Sequence, residues 1–95
     1  MDGSTADLLR RVAMRIEVNP DYSEAVIHLH DGSKLCFCHR VGERWAKTTP
    51  CGDASTADAI LGSIAMFRLN RKHLDIRFQD GSRWEKVFQH TAGEG

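Results

Sequence analysis

The chain has 95 residues, in which 13 lysines and arginines are balanced by 13 aspartates and glutamates, so its formal net charge is zero. This length predicts a single small domain over residues 1–95. A neutral chain lacks a broad electrostatic attraction to nucleic acid or anionic lipid. Its apolar runs are too short to cross a bilayer, so a membrane partner is not expected.

Two stretches of the sequence repeat themselves. Residues Ser4–Asp7 return as residues 55–58, and Ile27–Lys34 is echoed by Ile76–Arg83. Self-similarity of this kind is typical of a domain that is built from copies of one unit. We predict repeat 1 over about 4–40, a connector over 41–54, repeat 2 over about 55–89 and a tail over 90–95.

Each repeat opens with a predicted helix. Ser4 or Thr5 can cap the first helix, and apolar residues recur at helical spacing as far as Ile16. Proline cannot continue a helix, so Asn19-Pro20 ends it. The second repeat has a cap at Ser55 or Thr56 and an apolar stripe made of Ile60, Ile64 and Phe67. In this alignment Val12-Ala13-Met14 corresponds to Ile64-Ala65-Met66.

A predicted hairpin follows each helix, with turns at Asp31-Gly32 and Asp80-Gly81. In the first hairpin, a three-residue loop with Gly32 in the left-handed conformation pairs Ile27 with Leu35 and Ala25 with Phe37. We prefer this register to a two-residue turn because it places every large hydrophobic residue on one face. The same rule aligns Leu74, Ile76 and Phe78 of the second hairpin with the strand of Trp84.

Two helix–hairpin units predict an α+β fold. The expected architecture is an internally duplicated helix–hairpin unit in the order αββαββ, with one four-stranded antiparallel sheet and both helices on one of its faces. Residues 44–48 in the connector are a candidate for a short extra strand.

The face of the first hairpin that lies opposite the core carries the most distinctive chemistry. Two histidines and two cysteines share it with a valine: Val26, His28, His30, Cys36 and Cys38. Imidazole and thiolate are ligands that zinc prefers, so His28, His30, Cys36 and Cys38 are candidates for a metal site. Against this, residues two apart on a strand lie about 6.5–7 Å apart, and there is no Cys-x-x-Cys knuckle. We therefore favour a mildly apolar surface that binds a protein partner or a second copy of the chain.

The densest basic stretch follows the second predicted helix and comprises Arg68, Arg71, Lys72 and Arg77. Beside a tryptophan, such residues bind single-stranded nucleic acid through phosphate pairing and base stacking. The same residues are also typical of the solvated end of a helix. Nucleic-acid binding is therefore the alternative function.

No motif indicates catalysis. Asp31 and Asp80 are explained by their turns, and no base can be assigned to Cys51. We predict that the protein is not an enzyme but a protein-binding or regulatory module that acts through the outer sheet face or a sheet edge, without a cofactor. The polar amino terminus and the odd number of cysteines predict a reducing, cytoplasmic location.

Overall fold

A computed structural model describes residues 3–49 and 56–88 of the chain. Most of these residues form β-strands, arranged in two antiparallel sheets of four and three strands with two short helices. The strand orders are β1-β2-β3-β4 in the first sheet and β5-β6-β7 in the second. The elements in chain order are α1 (Thr5–Val12), β1 (Ala13–Val18), β2 (Glu24–Leu29), β3 (Lys34–Arg40), β4 (Glu43–Thr49), α2 (Thr56–Leu61), β5 (Ile64–Leu69), β6 (His73–Phe78) and β7 (Arg83–Val87).

The prediction of one four-stranded sheet with both helices on one face is therefore wrong. Both helices end earlier than expected, α1 at Val12 and α2 at Leu61, and the residues that follow them form β1 and β5. Each predicted helix–hairpin unit is instead a helix followed by three strands. The first half has a further strand, β4, which confirms the extra strand expected near residues 44–48.

A β-bulge explains why the apolar spacing indicated a longer helix. Ala13 pairs with Leu29 and Arg15 pairs with His28, so Met14 is an extra residue in β1. Because of this bulge, Ala13 and Ile16 face the same side although they are three positions apart, which imitates the period of a helix. β5 has the same irregularity between Ile64 and Met66.

The two bulges also correct the alignment of the two halves. They show that Ala13, and not Val12, is the residue of the first half that corresponds to Ile64. Backbone hydrogen bonds agree with this shift. The His30 amide donates to the Val12 carbonyl over 2.9 Å, and the Gln79 amide donates to the Ser63 carbonyl over 2.8 Å. Val12 therefore corresponds to Ser63.

The hairpin registers are confirmed. Ile27 pairs with Leu35 and Ala25 with Phe37 in the first hairpin, and Ile76 pairs with Trp84 in the second. Gly32 and Gly81 close the loops with φ angles of 91° and 88°. Glycine adopts this left-handed conformation without the steric penalty that other residues incur, and it is the conformation that a three-residue hairpin loop requires.

The N-terminus of α1 is capped by the other half of the chain. The Thr5 amide donates to Asp80 Oδ2 over 2.8 Å, and the Ala6 amide donates to Ser82 Oγ over 3.1 Å. The next amide in the helix, that of Asp7, donates to Ser4 Oγ over 3.2 Å. The first three helical amides, which have no partner inside the helix, are thus all satisfied.

The N-terminus of α2 is capped in the same way by the first half. The Thr56 amide donates to Asp31 Oδ2 over 3.0 Å, and the Ala57 amide donates to Ser33 Oγ over 3.3 Å. Each Asp-Gly-Ser turn therefore binds the helix of the opposite half. We call these two sets of contacts the reciprocal caps.

The core lies between the two sheets, and the helices close it. α1 packs its buried Leu9 on the side of β6 and β7, and α2 packs its buried Ile60 on the side of β3 and β4. Phe37 of the first sheet meets Phe67 of the second with their ring centroids 5.1 Å apart. Burial of one large apolar side chain contributes about 1.5–3 kcal/mol. Because each helix packs against the sheet of the other half, the two halves share a single core.

Candidate functional site

The residues predicted to bind a partner divide into three groups in the structure. Val26, His28 and Cys36 are half-buried on the outer face of the first sheet, which is the face that points away from the second sheet. Cys38 lies on the same face but is fully buried. His30 lies beyond the end of β2, where it is exposed. Their role in binding a partner stays a prediction.

Ion pairs cover one side of this outer face. Glu17 Oε1 lies 2.6 Å from His28 Nε2, and Glu17 Oε2 lies 3.0 Å from an Arg15 guanidinium nitrogen. These contacts hold the pKa of the Glu17 carboxyl below its usual value, with the His28 hydrogen bond as the main cause. The His28 side chain is only 12% exposed. Arg40 and Glu24 form a further ion pair across β2 and β3.

β4 covers the other side of the outer face. Trp45 pairs with Cys38 across β3 and β4, and its indole Nε1 donates to Glu43 Oε1 over 2.8 Å. The Lys47 ammonium lies 4.6 Å from the centroid of the Trp45 ring. Burial raises the pKa of the Cys38 thiol, so this cysteine stays protonated and poorly nucleophilic. The outer face of the first sheet therefore carries an indole and an ammonium group beside the two cysteines.

The metal candidates do not converge. Within residues 3–49 and 56–88, no three histidine, cysteine, aspartate or glutamate side chains come together as a group that could hold a metal ion. Antiparallel pairing sets Cys36 beside Val26 and Cys38 beside Glu24, so neither thiol faces an imidazole directly across β2. Cys51, the remaining cysteine, lies outside the described residues.

The basic stretch forms the hairpin of β5 and β6 and not the end of a helix. Arg68 is the register partner of Asp75, and Arg77 Nε lies 3.9 Å from Asp75 Oδ2. The Arg71 guanidinium stacks 5.4 Å from the centroid of the Tyr22 ring. Asp75 thus places a negative charge beside both Arg68 and Arg77. The Arg71 side chain packs against Tyr22, a residue of the first half of the chain.

The two turn aspartates have a role that sequence analysis missed. Asp31 accepts hydrogen bonds from Ser33 and from the Thr56 amide, and Asp80 accepts them from Ser82 and Thr5. The serine side-chain bonds, followed by the amide bonds, hold the pKa of both carboxyls far below the usual range. The sequence contains one indication of this role, because the Ser-Thr-Ala-Asp block that starts each helix and the Asp-Gly-Ser block of each turn both occur in both halves.

A groove runs between β4 and β5. It has a volume of about 550 Å³ and is lined mainly by apolar side chains, including Trp45, Ile64 and Met66. Arg44 bridges the groove, because its guanidinium donates to the Phe67 carbonyl over 2.6 Å and lies 5.5 Å from the centroid of the Phe67 ring.

The outer edge of β7 carries backbone hydrogen-bonding groups that do not pair with β6. The Phe78 amide donates to the Ser82 carbonyl, so the backbone groups of Phe78 point toward β7. Successive residues of a strand point their amide and carbonyl groups alternately to its two sides. The amide and carbonyl groups of Trp84 and Lys86 therefore bond to β6. Those of three other residues point away from β6: Arg83, Glu85 and Val87. We call this row of groups the β7 edge.

The β7 edge differs from the corresponding edge of the first half. β3 of the first half corresponds to β7 of the second half. The His39 amide donates to the carbonyl of Ser23, the residue before β2, and the Phe88 amide donates to the carbonyl of Lys72, the residue before β6. β3 pairs along its outer edge with β4 over the whole length of both strands. Within the described ranges 3–49 and 56–88, no strand pairs with the corresponding edge of β7.

The space beside the β7 edge is partly open. A cavity of about 160 Å³ separates β7 from β1 and is lined by Met14, Ile16, Trp84 and Lys86, among others. One outward backbone group is engaged, because Arg10 Nη2 donates to the Arg83 carbonyl over 3.0 Å.

Neither described helix is long and apolar enough to span a membrane. Comparison with known proteins identifies no relative, because no family model, no curated protein and no solved structure matches the chain.

Proposed function

We propose that the protein is a non-catalytic protein-binding module that accepts an extended strand of its partner along the β7 edge. The observation that carries this proposal is the unequal strand number of two otherwise matched halves. The first sheet has four strands and the second has three, and the difference leaves the edge of β7 without a neighbour among the described residues. An added strand would occupy the place that β4 occupies beside β3.

Strand addition suits this edge chemically. Main-chain hydrogen bonds to Arg83, Glu85 and Val87 would supply affinity, and the flanking side chains would supply specificity. Two apolar side chains beside the edge are exposed, Val87 by 58% and Met14 by 54%. A partner strand would remove apolar surface from water at both positions, and this contributes roughly 25 cal/mol per Å² of apolar surface.

The outer face of the first sheet fits a partner less well. Binding there would require the ion pairs of Glu17 with Arg15 and of Glu24 with Arg40 to lose water or to break. Exposed pairs of this kind contribute little to stability, but they are costly to bury without new partners.

The proposal includes a reducing, cytoplasmic setting. The odd number of cysteines supports this setting, because three cysteines cannot all pair within one chain. Cys36 and Cys38 are free thiols whose spacing on one strand does not suit a disulfide between them.

Proline substitution tests the proposal. Glu85→Pro removes an amide that points away from β6, so the sheet keeps its own hydrogen bonds while the β7 edge loses a donor. We expect proteins that bind the wild-type chain in a cell extract to be lost from the Glu85→Pro variant. Each such protein, once purified, should slow hydrogen exchange at the Arg83, Glu85 and Val87 amides.

Ala46→Pro is the matched control. It removes an outward amide of β4, the edge strand of the other sheet, and it should leave the bound proteins unchanged. Equal retention of the same proteins by the wild-type chain and the Glu85→Pro variant would contradict the proposal.

A further inference from the structure

We infer that the strand which pairs with the β7 edge is β7 of a second copy of this chain, in an antiparallel dimer whose twofold axis passes through Trp84. This inference rests on the proposed function, since it names the partner of the same edge. The paired sheets would form one continuous six-stranded sheet across the dimer.

The sequence of β7 selects this register. The outward backbone groups of Arg83, Glu85 and Val87 must meet the outward groups of the second strand, which leaves only axes centred on a single residue. An axis at Arg83 would oppose two arginines, and an axis at Glu85 would oppose two glutamates. An axis at Trp84 alone sets Arg83 opposite Glu85 of the other copy, and it does so twice by symmetry. Unlike charges directly opposite each other on one face stabilise strand pairing, whereas like charges weaken it.

The inward face agrees with the same axis. Trp84 is 8% exposed at the margin of the core, and the axis places it beside its counterpart. Aromatic cross-strand pairs are among the favourable ones. Lys86 would lie opposite Ser82, where its ammonium stays solvated, whereas an axis at Lys86 would set two ammonium groups together. Lys86 stands where the first half has the fully buried Phe37, and its charge disfavours the register that is centred on Lys86 itself.

The charged pair is already held in position within one chain. Arg83 Nε lies 2.9 Å from Asp75 Oδ1, and Arg83 Nη2 lies 3.4 Å from Glu85 Oε1. Glu85 Oε2 lies 2.6 Å from His73 Nδ1. These contacts place both charged groups on the outer face of β7, where each would add a partner from the second copy to the ion pairs that it already makes. Arg10 releases the Arg83 carbonyl when the second strand binds.

The first measurement is the mass of the reduced, full-length protein by light scattering and sedimentation at concentrations up to about 1 mM, where a weak association is still detected. We expect a concentration-dependent dimer. Glu85→Pro should abolish it, and Ala46→Pro should leave it intact. A dimer that resists Glu85→Pro would use another surface and would overturn the inference.

Charge reversal tests the register. Arg83→Glu alone and Glu85→Arg alone each replace two unlike pairs by two like-charged pairs, and each should raise the dimer dissociation constant by about tenfold or more. A mixture of the two variants restores both unlike pairs across the interface, so it should form a 1:1 heterodimer about as readily as the wild-type chain dimerises. Loss of monomer stability cannot produce this rescue, and its absence would overturn the register.

The remaining outcomes separate the inference from the proposed function. A wild-type chain that stays monomeric while a different protein binds in a manner sensitive to Glu85→Pro would overturn the dimer and support the module. Amides of Arg83, Glu85 and Val87 that exchange slowly in a strict monomer would show that the chain covers its own edge. That result would overturn both.

Discussion

Ser33 and Asp31 illustrate how single residues connect the two halves. The Ser33 hydroxyl is fully buried, donates to Asp31 Oδ1 and accepts the Ala57 amide of α2. Ser82 and Asp80 make the same contacts with α1, but Ser82 is only half-buried. Each turn therefore supplies hydrogen-bond acceptors both for its own backbone and for the amides at the start of a helix in the other half.

The different burial of the two serines predicts unequal effects of their removal. Ser33→Ala should lower the free energy of unfolding by about 1–3 kcal/mol, because it leaves the buried Ala57 amide without an acceptor. Ser82→Ala should cost less, since water can replace part of its contacts. Urea denaturation of the two variants measures the difference, and equal losses would contradict the role of burial.

The reciprocal caps predict loss of stability in acid. The folded-state pKa values of Asp31 and Asp80 lie below the ordinary value of 3.8, so the unfolded chain binds more protons in acid than the folded chain does. Their contribution is fully present above about pH 4 and is lost as the pH falls toward the folded-state pKa values. The free energy of unfolding, measured from pH 5 downward, should fall less steeply for an Asp31→Asn, Asp80→Asn double variant.

Asp7→Asn is a suitable control for the acid series. Asp7 is an exposed carboxylate that pairs with Arg10 over 2.6 Å and takes no part in the reciprocal caps. The Asp7→Asn variant should keep the steep acid dependence of the wild-type chain. If the double variant kept it as well, the two turn aspartates would not be its source.

At the scale of elements, short helices and bulged strands replace the long helices expected from the apolar spacing. α1 has 8 residues and α2 has 6. Isolated helices of this length are not stable in water, so these depend on their caps and on the packing of Leu9 and Ile60. The residues after each helix favour strands because Ile16 and Val18 are β-branched and alternate with the outward residues Arg15 and Glu17.

The alternation of backbone groups along β7 predicts that proline substitution at two neighbouring positions has unequal effects on stability. Glu85→Pro removes an outward amide and should leave the protein folded. Lys86→Pro removes an amide that bonds to β6, so it should lower the free energy of unfolding by about 2 kcal/mol or more. Thermal unfolding followed by circular dichroism distinguishes them. Equal destabilisation would show that the Glu85 amide also forms a hydrogen bond within the folded chain.

At the scale of the whole molecule, each half binds the helix of the other half. The helix of each half is capped by the turn of the other half and packs on the sheet of the other half. The longer β1–β2 loop of the first half adds a third connection, because the Tyr22 ring lies 5.4 Å from the Phe88 ring. His39 Nδ1 also accepts the Leu69 amide over 3.2 Å, which joins β3 to β5.

This reciprocal binding of helices predicts that neither half folds alone. Fragments 1–52 and 53–95 each lack the turn that caps their helix and the sheet that buries it, so each should show little structure by circular dichroism and no cooperative melting transition. Mixing the fragments should restore part of the native signal. A cooperative transition in either isolated fragment would contradict a shared core.

Local patterns in the sequence specify four features of this protein: the Asp-Gly-Ser loops, the hairpin registers, the strand near residues 44–48 and the similarity of the two halves. Glycine geometry and the alternation of hydrophobic residues act over a few positions, so they can be interpreted without a structure. Residues 13–18 and 64–69 are recognised as strands only from their pairing with β2 and β6, because a bulge gives them the spacing of a helix. Tertiary contacts also decide that each turn caps the opposite helix and that, among residues 3–49 and 56–88, β7 has no neighbour like the one that β3 has. Those features depend on residues more than twenty positions apart, and no local pattern specifies how such residues meet.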